Sequence, residues 1–201
     1  MRVSHLLDAI EASEDDVRCD TFSDEDLRGV SLGRVEFEDC TFERCAFAES
    51  RAARISFERC VFTECDLSNA RLATSFWRDC RLKASRAVGC DLHHSYLVRV
   101  VFEDCICSYA NLAESKLEQV SLQGCDLREA SLSQLRLKRL RLEACDLTRA
   151  EFFQTRLRGV DLSSCAIGGI RTSDTFSELR GTKVGIDQAP ELVSLLGVEL
   201  A

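Results

Sequence analysis

Long apolar runs are missing from this 201-residue sequence. Its apolar segments are only a few residues long, far short of the ~20 consecutive residues that a membrane-spanning helix needs. The N-terminal region also lacks the apolar stretch of a secretory signal, because Asp8, Glu11 and Glu14 interrupt it. We therefore expect a cytoplasmic protein with no membrane partner.

Histidine is scarce, and cysteine pairs with the CxxC spacing are absent. The three histidines are His5, His93 and His94, and no two cysteines have the CxxC spacing of a zinc site. The sequence does contain 12 cysteines, but in a chain without an export signal they argue against a disulfide scaffold. We expect no metal site, and free thiols that serve packing.

The sequence also lacks a recognisable group of catalytic residues. His93 and His94 have no converging cysteine or carboxylate at a suitable spacing, so we interpret them as a solvated surface pair. Gly168-Gly169 lacks the strand-and-helix context of a phosphate-binding loop. We therefore expect no catalytic residues, no cofactor and no enzymatic activity.

Charge is distributed unevenly along the chain. Residues 1–50 contain 14 acidic and 5 basic side chains, whereas residues 51–201 contain 20 acidic and 21 basic ones. Nearly all of the net charge of −8 therefore belongs to the first quarter of the sequence. This argues against direct binding of nucleic acid there, since nucleic-acid-binding surfaces are basic.

A period of five residues dominates the rest of the sequence. Every fifth residue from Phe22 to Ile167 gives 30 positions, of which 25 are Leu or Phe. Two residues before each of these centres the chain prefers a small side chain, and ten of the twelve cysteines occupy that place. Such a period fits neither an α-helix nor a flat strand.

Two inward positions in every five residues require a sharp turn in each unit, and four such turns close a square coil. A residue at position i should then stack on the residue at i+20 and resemble it, as Phe22, Phe42 and Phe62 do. We predict an all-β fold, a right-handed quadrilateral β-helix, over residues 20–171. In this fold Trp77, which occupies a centre position, fills the core.

Both ends of such a solenoid need caps, because its terminal coils otherwise expose core and backbone. Residues 1–19 are predicted to form an N-terminal cap with a short helix at residues 4–13. Residues 172–201 are predicted to form a C-terminal cap with a helix that begins after an N-cap at Asp187, tolerates Pro190 and ends at Gly197.

The C-terminal helix carries more apolar surface than one small face needs. We predict that this surface forms a homodimer interface, although the segment could instead only cover the last coil. The predicted interface residues are Leu192, Val193, Leu195, Leu196, Val198 and Leu200.

The repeating unit resembles the A(D/N)LXX signature of pentapeptide repeat proteins, as in Cys65-Asp66-Leu67-Ser68-Asn69 and Ala110-Asn111-Leu112-Ala113-Glu114. The opening Ser23-Asp24-Glu25-Asp26-Leu27 is similar to the start of MfpA-type members. The C-terminal segment resembles the dimer module of the MfpA, Qnr and albicidin-immunity types. The resemblance lies in Val184-Gly185-Ile186-Asp187-Gln188-Ala189 and in the Leu-rich segment after it.

This resemblance implies a dimeric rod that binds a type II topoisomerase, DNA gyrase or topoisomerase IV, and protects it from a poison by partial mimicry of duplex DNA. A scaffolding solenoid that binds another protein is the alternative. Unlike the Qnr type, this sequence leaves no room for projecting loops, and its C-terminal coils are basic. The predicted partner-binding residues share one face, although they could equally be a merely solvated surface: Glu36, Glu38, Asp39, Glu58 and Asp79.

Overall fold

A computed structural model describes residues 5–52 and 54–198. The chain forms a parallel β-solenoid between two short helices, as the five-residue period predicts. Its strands are β1 (Asp16–Arg18), β2 (Thr21–Ser23), β3 (Glu36–Glu38), β4 (Thr41–Glu43), β5 (Ser56–Glu58), β6 (Val61–Thr63), β7 (Phe76–Arg78), β8 (Arg81–Lys83), β9 (Tyr96–Val98), β10 (Val101–Glu103), β11 (Lys116–Gln123) and β12 (Arg136–Glu143).

The strands pair in a strict register, in which a residue at position i lies beside the residue at i+20. Phe37 pairs with Phe57 and Phe57 with Trp77 along one side, and Phe42 pairs with Phe62 along the next. We call these sides face 1 (β1, β3, β5, β7, β9 and the first halves of β11 and β12) and face 2 (β2, β4, β6, β8, β10 and the second halves). Isolated parallel bridges form face 3, beginning with Asp26 to Ala46, and face 4, beginning with Ser31 to Arg51.

Corners separate the faces, and each corner is a residue with a positive φ. Every fifth residue from Asp39 to Gln154 has this left-handed conformation, and only Gly89 and Gly124 among them are glycines. Asp39 at φ 55° and Arg59 at φ 53° are typical. A left-handed residue bends the chain sharply within one residue, which is how five residues suffice for each side of the coil.

The core consists of the stacked centre residues and of the small residues that lie two positions before each of them. Phe22, Phe42 and Phe62 are fully buried and stacked, with 5.5 Å and then 4.7 Å between ring centroids. Trp77 is also buried, as predicted, and its indole N–H donates a hydrogen bond of 2.7 Å to Ser75 Oγ. The interior is therefore filled with side chains.

The cysteines of the repeat register are buried and unpaired. In the two columns that begin at Cys40 and Cys45, each thiol up to Cys145 lies against the backbone carbonyl of the residue 23 positions earlier. For example, Cys65 Sγ donates to the Phe42 carbonyl oxygen at 3.3 Å. The cysteine columns thus pack and hydrogen-bond the coils without disulfides. Cys19, outside this register, is exposed.

The N-terminal cap contains helix α1 (His5–Ala12), which buries Leu6 and Ile10 over the first coil. At the other end, the coil continues beyond residue 171 with a wider turn, because Asp161 pairs with Lys183 rather than with position 181. Two 3-10 turns (Ser177–Leu179 and Ile186–Gln188) lead to α2 (Ala189–Leu195).

The predicted N-cap of the C-terminal helix is wrong. Asp187 lies inside the second 3-10 turn, and Gln188 precedes α2 instead. The buried Gln188 amide donates to the Leu162 and Cys165 carbonyl oxygens at 2.8 and 2.5 Å and accepts from the Gly185 N–H at 2.7 Å, which fixes the turn. Pro190 lies in the first turn of α2, and Gly197 after its end has φ 71°, both as expected.

Candidate binding surfaces

The predicted carboxylates come together on face 1 and its corner, but basic partners surround them. Arg59 contacts Asp39 at 2.7 Å and Glu58 at 2.6 Å, and it also reaches Glu38. Arg18 approaches Glu38 to 2.8 Å. This part of the surface is therefore an ion-pair network in which one guanidinium bridges three carboxylates of two neighbouring coils.

The remaining two predicted carboxylates are paired as well. Glu36 accepts from Arg34 at 3.1 Å, and Asp79 accepts from Arg99 at 2.7 Å. The neighbouring guanidinium holds the pKa of Asp79 below its usual range, as Arg59 does for Asp39. Arginines thus compensate much of the negative charge of these five carboxylates within the described surface.

The C-terminal end carries the second candidate surface. Ile186 is 92% exposed, Leu196 61% and Val198 51%. Leu192 and Leu195 pack partly against the core, and Val193 is half-buried. Leu200, the sixth predicted interface residue, lies outside the described residues. Three exposed apolar side chains therefore flank α2 in the sequence, Ile186 before it and Leu196 and Val198 after it.

The third surface is basic and covers the last strand. It consists of Lys138, which pairs with Glu118, and of five arginines without a carboxylate oxygen within 4.0 Å in the described part of the chain: Arg136, Arg139, Arg141, Arg156 and Arg158. The uncompensated charge near this end of face 1 is therefore positive, in a protein of net charge −8.

The histidines belong to the surface. His93 Nδ1 lies 2.8 Å from Asp91 Oδ1, and His94 Nε2 lies 3.5 Å from Glu114 Oε2. Across residues 5–52 and 54–198, no group of three or more His, Cys, Asp or Glu side chains is arranged to hold a metal ion. The same residues contain no helix long and apolar enough to cross a membrane.

The depressions on the surface are shallow grooves between corners. One groove of about 450 Å³ is lined by polar and charged side chains, including His94, Glu114, Lys116 and Arg136. It is open to solvent and brings no nucleophile to a general base.

The sequence did not predict two buried polar residues of the C-terminal cap. Glu178 is buried and accepts hydrogen bonds from the Gln154 N–H at 2.9 Å and from the Ser173 hydroxyl at 2.8 Å. Gln188 is buried as well, and its amide donates a hydrogen bond to the Leu162 carbonyl oxygen. Both lie outside the repeat, where no period distinguishes a buried polar residue from an exposed one.

Comparison with known proteins gives the family. A family model described as a pentapeptide repeat region matches residues 30–100 and 95–172. No curated protein matches the chain. The structure of HetL, a pentapeptide repeat protein involved in heterocyst differentiation regulation from the cyanobacterium Nostoc sp. strain PCC 7120, is 17% identical over 91% of this chain and 94% of its own, with a TM-score of 0.40.

Two further structures are similar. Full-length QnrB1, a plasmid-mediated fluoroquinolone resistance protein, is 18% identical over 91% of this chain and 100% of its own, with a TM-score of 0.32. Rfr23, a pentapeptide repeat protein from the cyanobacterium Cyanothece 51142, is 21% identical over 89% of this chain and 96% of its own, with a TM-score of 0.26. Because the family model covers most of the sequence and the fold is the expected solenoid, the chain belongs to the pentapeptide repeat family.

Proposed function

We propose that this protein is a homodimeric rod that binds a type II topoisomerase, DNA gyrase or topoisomerase IV, and protects it from a poison that traps the cleaved DNA complex. The observation that carries the proposal is the apolar C-terminal end. Ile186, Leu196 and Val198 are exposed where the sequence resembles the dimer module of the MfpA, Qnr and albicidin-immunity types. When two such ends pair, they bury this surface and form a rod with two-fold symmetry. A topoisomerase dimer has the same symmetry.

Charge supports a contact through the outer part of such a rod. The acidic first quarter of the chain lies far from the C-terminal interface, so it forms the two tips of the dimer. We place the contact at the N-terminal part of face 1, around Glu36, Glu38 and Asp39, opposite a basic surface of the enzyme. Because the C-terminal coils are basic, the mimicry of duplex DNA is partial and confined to the tips.

The test is gyrase supercoiling and poison-stabilised DNA cleavage, with the purified protein titrated from nanomolar to micromolar concentrations. The proposal expects fewer cleavage complexes while supercoiling persists. Inhibition of supercoiling alone would indicate an inhibitor without a protective role. If chemically distinct poisons trap cleavage complexes to the same extent with and without the protein, protection is excluded.

A charge-reversal pair locates the contact. Glu36→Lys with Glu38→Lys should raise the concentration needed for protection at least tenfold, because two carboxylates of the proposed contact become cations. The control is Glu129→Lys with Glu143→Lys, which makes the same change of net charge outside the proposed contact. Equal effects of both pairs would contradict a contact on face 1.

A scaffolding solenoid for another protein is the second candidate, favoured by one observation. Tyr109 is 63% exposed and Ile106 37% on the face 3 side, away from both surfaces used above. The double variant Ile106→Ser with Tyr109→Ser distinguishes the two functions. It leaves protection unchanged if the first proposal holds, and it abolishes partner binding if face 3 is the binding surface.

A further inference from the structure

The outward side chains of face 1 change character along the rod. In β1, β3 and β5 the alternate, outward positions hold four acids, one arginine and one serine. From β7 to β12 and in the equivalent segment of the next coil, residues 156–158, they hold six cations and a single acid, Glu118, which pairs with Lys138. The C-terminal half of face 1 is therefore basic, whereas its N-terminal half is acidic.

Two aromatic side chains lie at the start of this basic half. Phe76 and Tyr96 occupy the first outward position of β7 and of β9, and their ring centroids are 5.8 Å apart. Tyr96 is 38% exposed, and Phe76 is half-buried. Because the centre residues fill the core from the inside, packing of the core does not require these outward rings.

Cations accompany both rings. The Arg78 guanidinium lies 4.9 Å from the centroid of the Phe76 ring, and the Lys116 ammonium lies 5.8 Å from that of Tyr96. Lys116 is also the next residue of the same column, because it pairs with Tyr96, and Arg136 pairs with Lys116 in turn. Paired coils are about 4.8 Å apart. The two rings and the cations after them thus form one line along the rod.

The open groove of about 450 Å³ runs beside this line. Three residues of the line form one of its walls, and three left-handed corner residues form the other: Tyr96, Lys116 and Arg136, and opposite them His94, Glu114 and Gln134. Glu114, the acid of the groove, lies 3.5 Å from His94. Arg136 is exposed and has no carboxylate oxygen within 4.0 Å among the described residues, so its charge is available to an anion.

The combination of rings and cations favours one class of ligand. An acidic peptide would use the cations and leave the rings unused, and a duplex keeps its bases stacked where an outward tyrosine cannot reach them. A single strand offers both an unstacked base for an aromatic ring and phosphates for the cations. Arginine suits phosphate in particular, because its planar fork binds two oxygens at once.

We propose that the C-terminal half of face 1 binds single-stranded nucleic acid. A base stacks on Tyr96 and displaces the Lys116 ammonium from the ring to a phosphate. The phosphates that follow lie along the groove against Lys116, Arg136 and Arg156, which occupies the same position in the next coil. The acidic first quarter of the chain lies at the other end of the face. This proposal does not depend on the topoisomerase or on the C-terminal dimer.

The experiment measures fluorescence anisotropy of fluorescein-labelled ten-nucleotide strands with the purified full-length protein. The probes are oligothymidylate, oligouridylate and an abasic deoxyribose phosphate strand, which has the same charge but no bases. The better-bound of the first two identifies DNA or RNA as the ligand and should bind at least tenfold more tightly than the abasic strand. Equal binding of the abasic strand, tighter binding of a hairpin duplex, or no binding of either base-containing strand at micromolar protein would overturn the proposal.

Salt and a competing polyanion separate this ligand from an acidic protein. If Lys116, Arg136 and Arg156 neutralise three phosphates, raising the salt concentration from about 50 to about 200 mM should weaken binding about 20-fold, because single strands lose about 0.7 logarithmic units of affinity per phosphate for each tenfold rise in salt. An affinity that does not change with salt would exclude these contacts. Oligoglutamate that competes as well as unlabelled oligothymidylate would make the surface a site for acidic proteins, against the proposal.

A tyrosine variant tests the stacking. Tyr96→Ala should weaken binding of the base-containing strand at least fivefold, the lower range for loss of one stacked base, and leave the abasic strand within twofold. Tyr96→Phe keeps the ring and should bind like the wild type. Tyr109→Ala removes a tyrosine that is 63% exposed at the corner between faces 3 and 4, and it is the matched control. Equal losses in Tyr96→Ala and Tyr109→Ala would overturn the assignment.

An arginine pair tests the phosphate contacts. Arg136→Glu with Arg156→Glu should weaken binding of the base-containing and the abasic strands alike, each at least tenfold. Arg51→Glu with Arg71→Glu makes the same change of net charge at two paired arginines of face 4, and it should stay within twofold. A loss of the same size in both pairs would show attraction by net charge alone and contradict a site on face 1.

Discussion

At the residue scale, the cysteines show that one inward position of the repeat accepts mostly small side chains. The inward position two residues before each centre holds Cys, Ser, Ala or Val in most coils. A thiol there fills the space and donates a hydrogen bond to a backbone carbonyl of the preceding coil. Ser115 Oγ makes the equivalent bond to the Leu92 carbonyl oxygen at 2.9 Å, and Thr155 Oγ1 to that of Leu132 at 2.6 Å. The position therefore favours a small side chain, and several of its Cys, Ser and Thr residues also donate a hydrogen bond to that carbonyl.

Thiol reactivity follows from this environment. Burial raises the pKa of the Cys90 thiol to about 12, so it stays protonated and unreactive at pH 8. With a thiol reagent at pH 8, we expect fast reaction of one equivalent in the native protein, from the exposed Cys19, and of all twelve in denaturant. Fewer than twelve in non-reducing denaturant would contradict the free-thiol assignment, and Cys19→Ser should remove the fast equivalent.

At the element scale, the strands were predictable and the ends were only partly so. A period of five with Leu or Phe at its centre determines where each strand lies, because any shift would expose residues such as Phe42 or Leu97. The helix containing Leu6 and Ile10 follows from apolar spacing alone. Among the described residues no backbone hydrogen bond joins 136–143 to 156–163. This gap coincides with Leu140, which is larger than the preceding residues of its column: Cys40, Cys60, Cys80, Val100 and Val120.

Outside the repeat the sequence offers less information. The buried side chains of Glu178 and Gln188 bond to backbone atoms of Gln154 and Leu162, far back in the sequence, and such pairings depend on the path of a turn that no period specifies. The face of the candidate carboxylates was predictable, because equivalent positions of successive coils stack. Their arginine partners were not predicted, since side-chain direction at a left-handed corner determines them.

Glu178 allows a test of the C-terminal cap. Burial alone would raise the pKa of this carboxyl, but hydrogen bonds from the Gln154 amide and the Ser173 hydroxyl lower it below its usual value. Glu178→Ala should lower the free energy of unfolding by about 2 kcal/mol, the typical cost of leaving buried donors without an acceptor. Chemical denaturation measures this loss.

The pH dependence has a definite sign. Because the folded pKa of Glu178 is depressed, its stabilisation is fully present above the unfolded value near 4.3 and is lost as the pH falls through the folded value. The difference in stability between wild type and Glu178→Gln should therefore shrink below about pH 4. A difference that stays constant from pH 7 to pH 3 would show that ionisation of Glu178 does not stabilise the cap.

At the scale of the whole molecule, the apolar C-terminal end predicts the oligomeric state. Light scattering should give twice the 22.5 kDa of the chain. Ile186→Glu with Leu196→Glu should give a monomer, because two charges would be buried in the interface. Val61→Glu with Ile106→Glu, at two exposed apolar positions elsewhere on the coil, should remain a dimer. A monomeric wild type would contradict the dimer and weaken the proposed function.

The strict pairing of position i with position i+20 has a consequence for changes in chain length. Deleting one whole coil, such as residues 81–100, would join residues that already occupy equivalent places, so every later side chain would keep its face while the rod shortens by about 4.8 Å. Deleting five residues would instead turn everything after the deletion by a quarter of a revolution. The arginines of β12 would then leave the side occupied by Glu36 and Glu38. Length and orientation can therefore change independently in this architecture, the first by whole coils and the second by single repeat units.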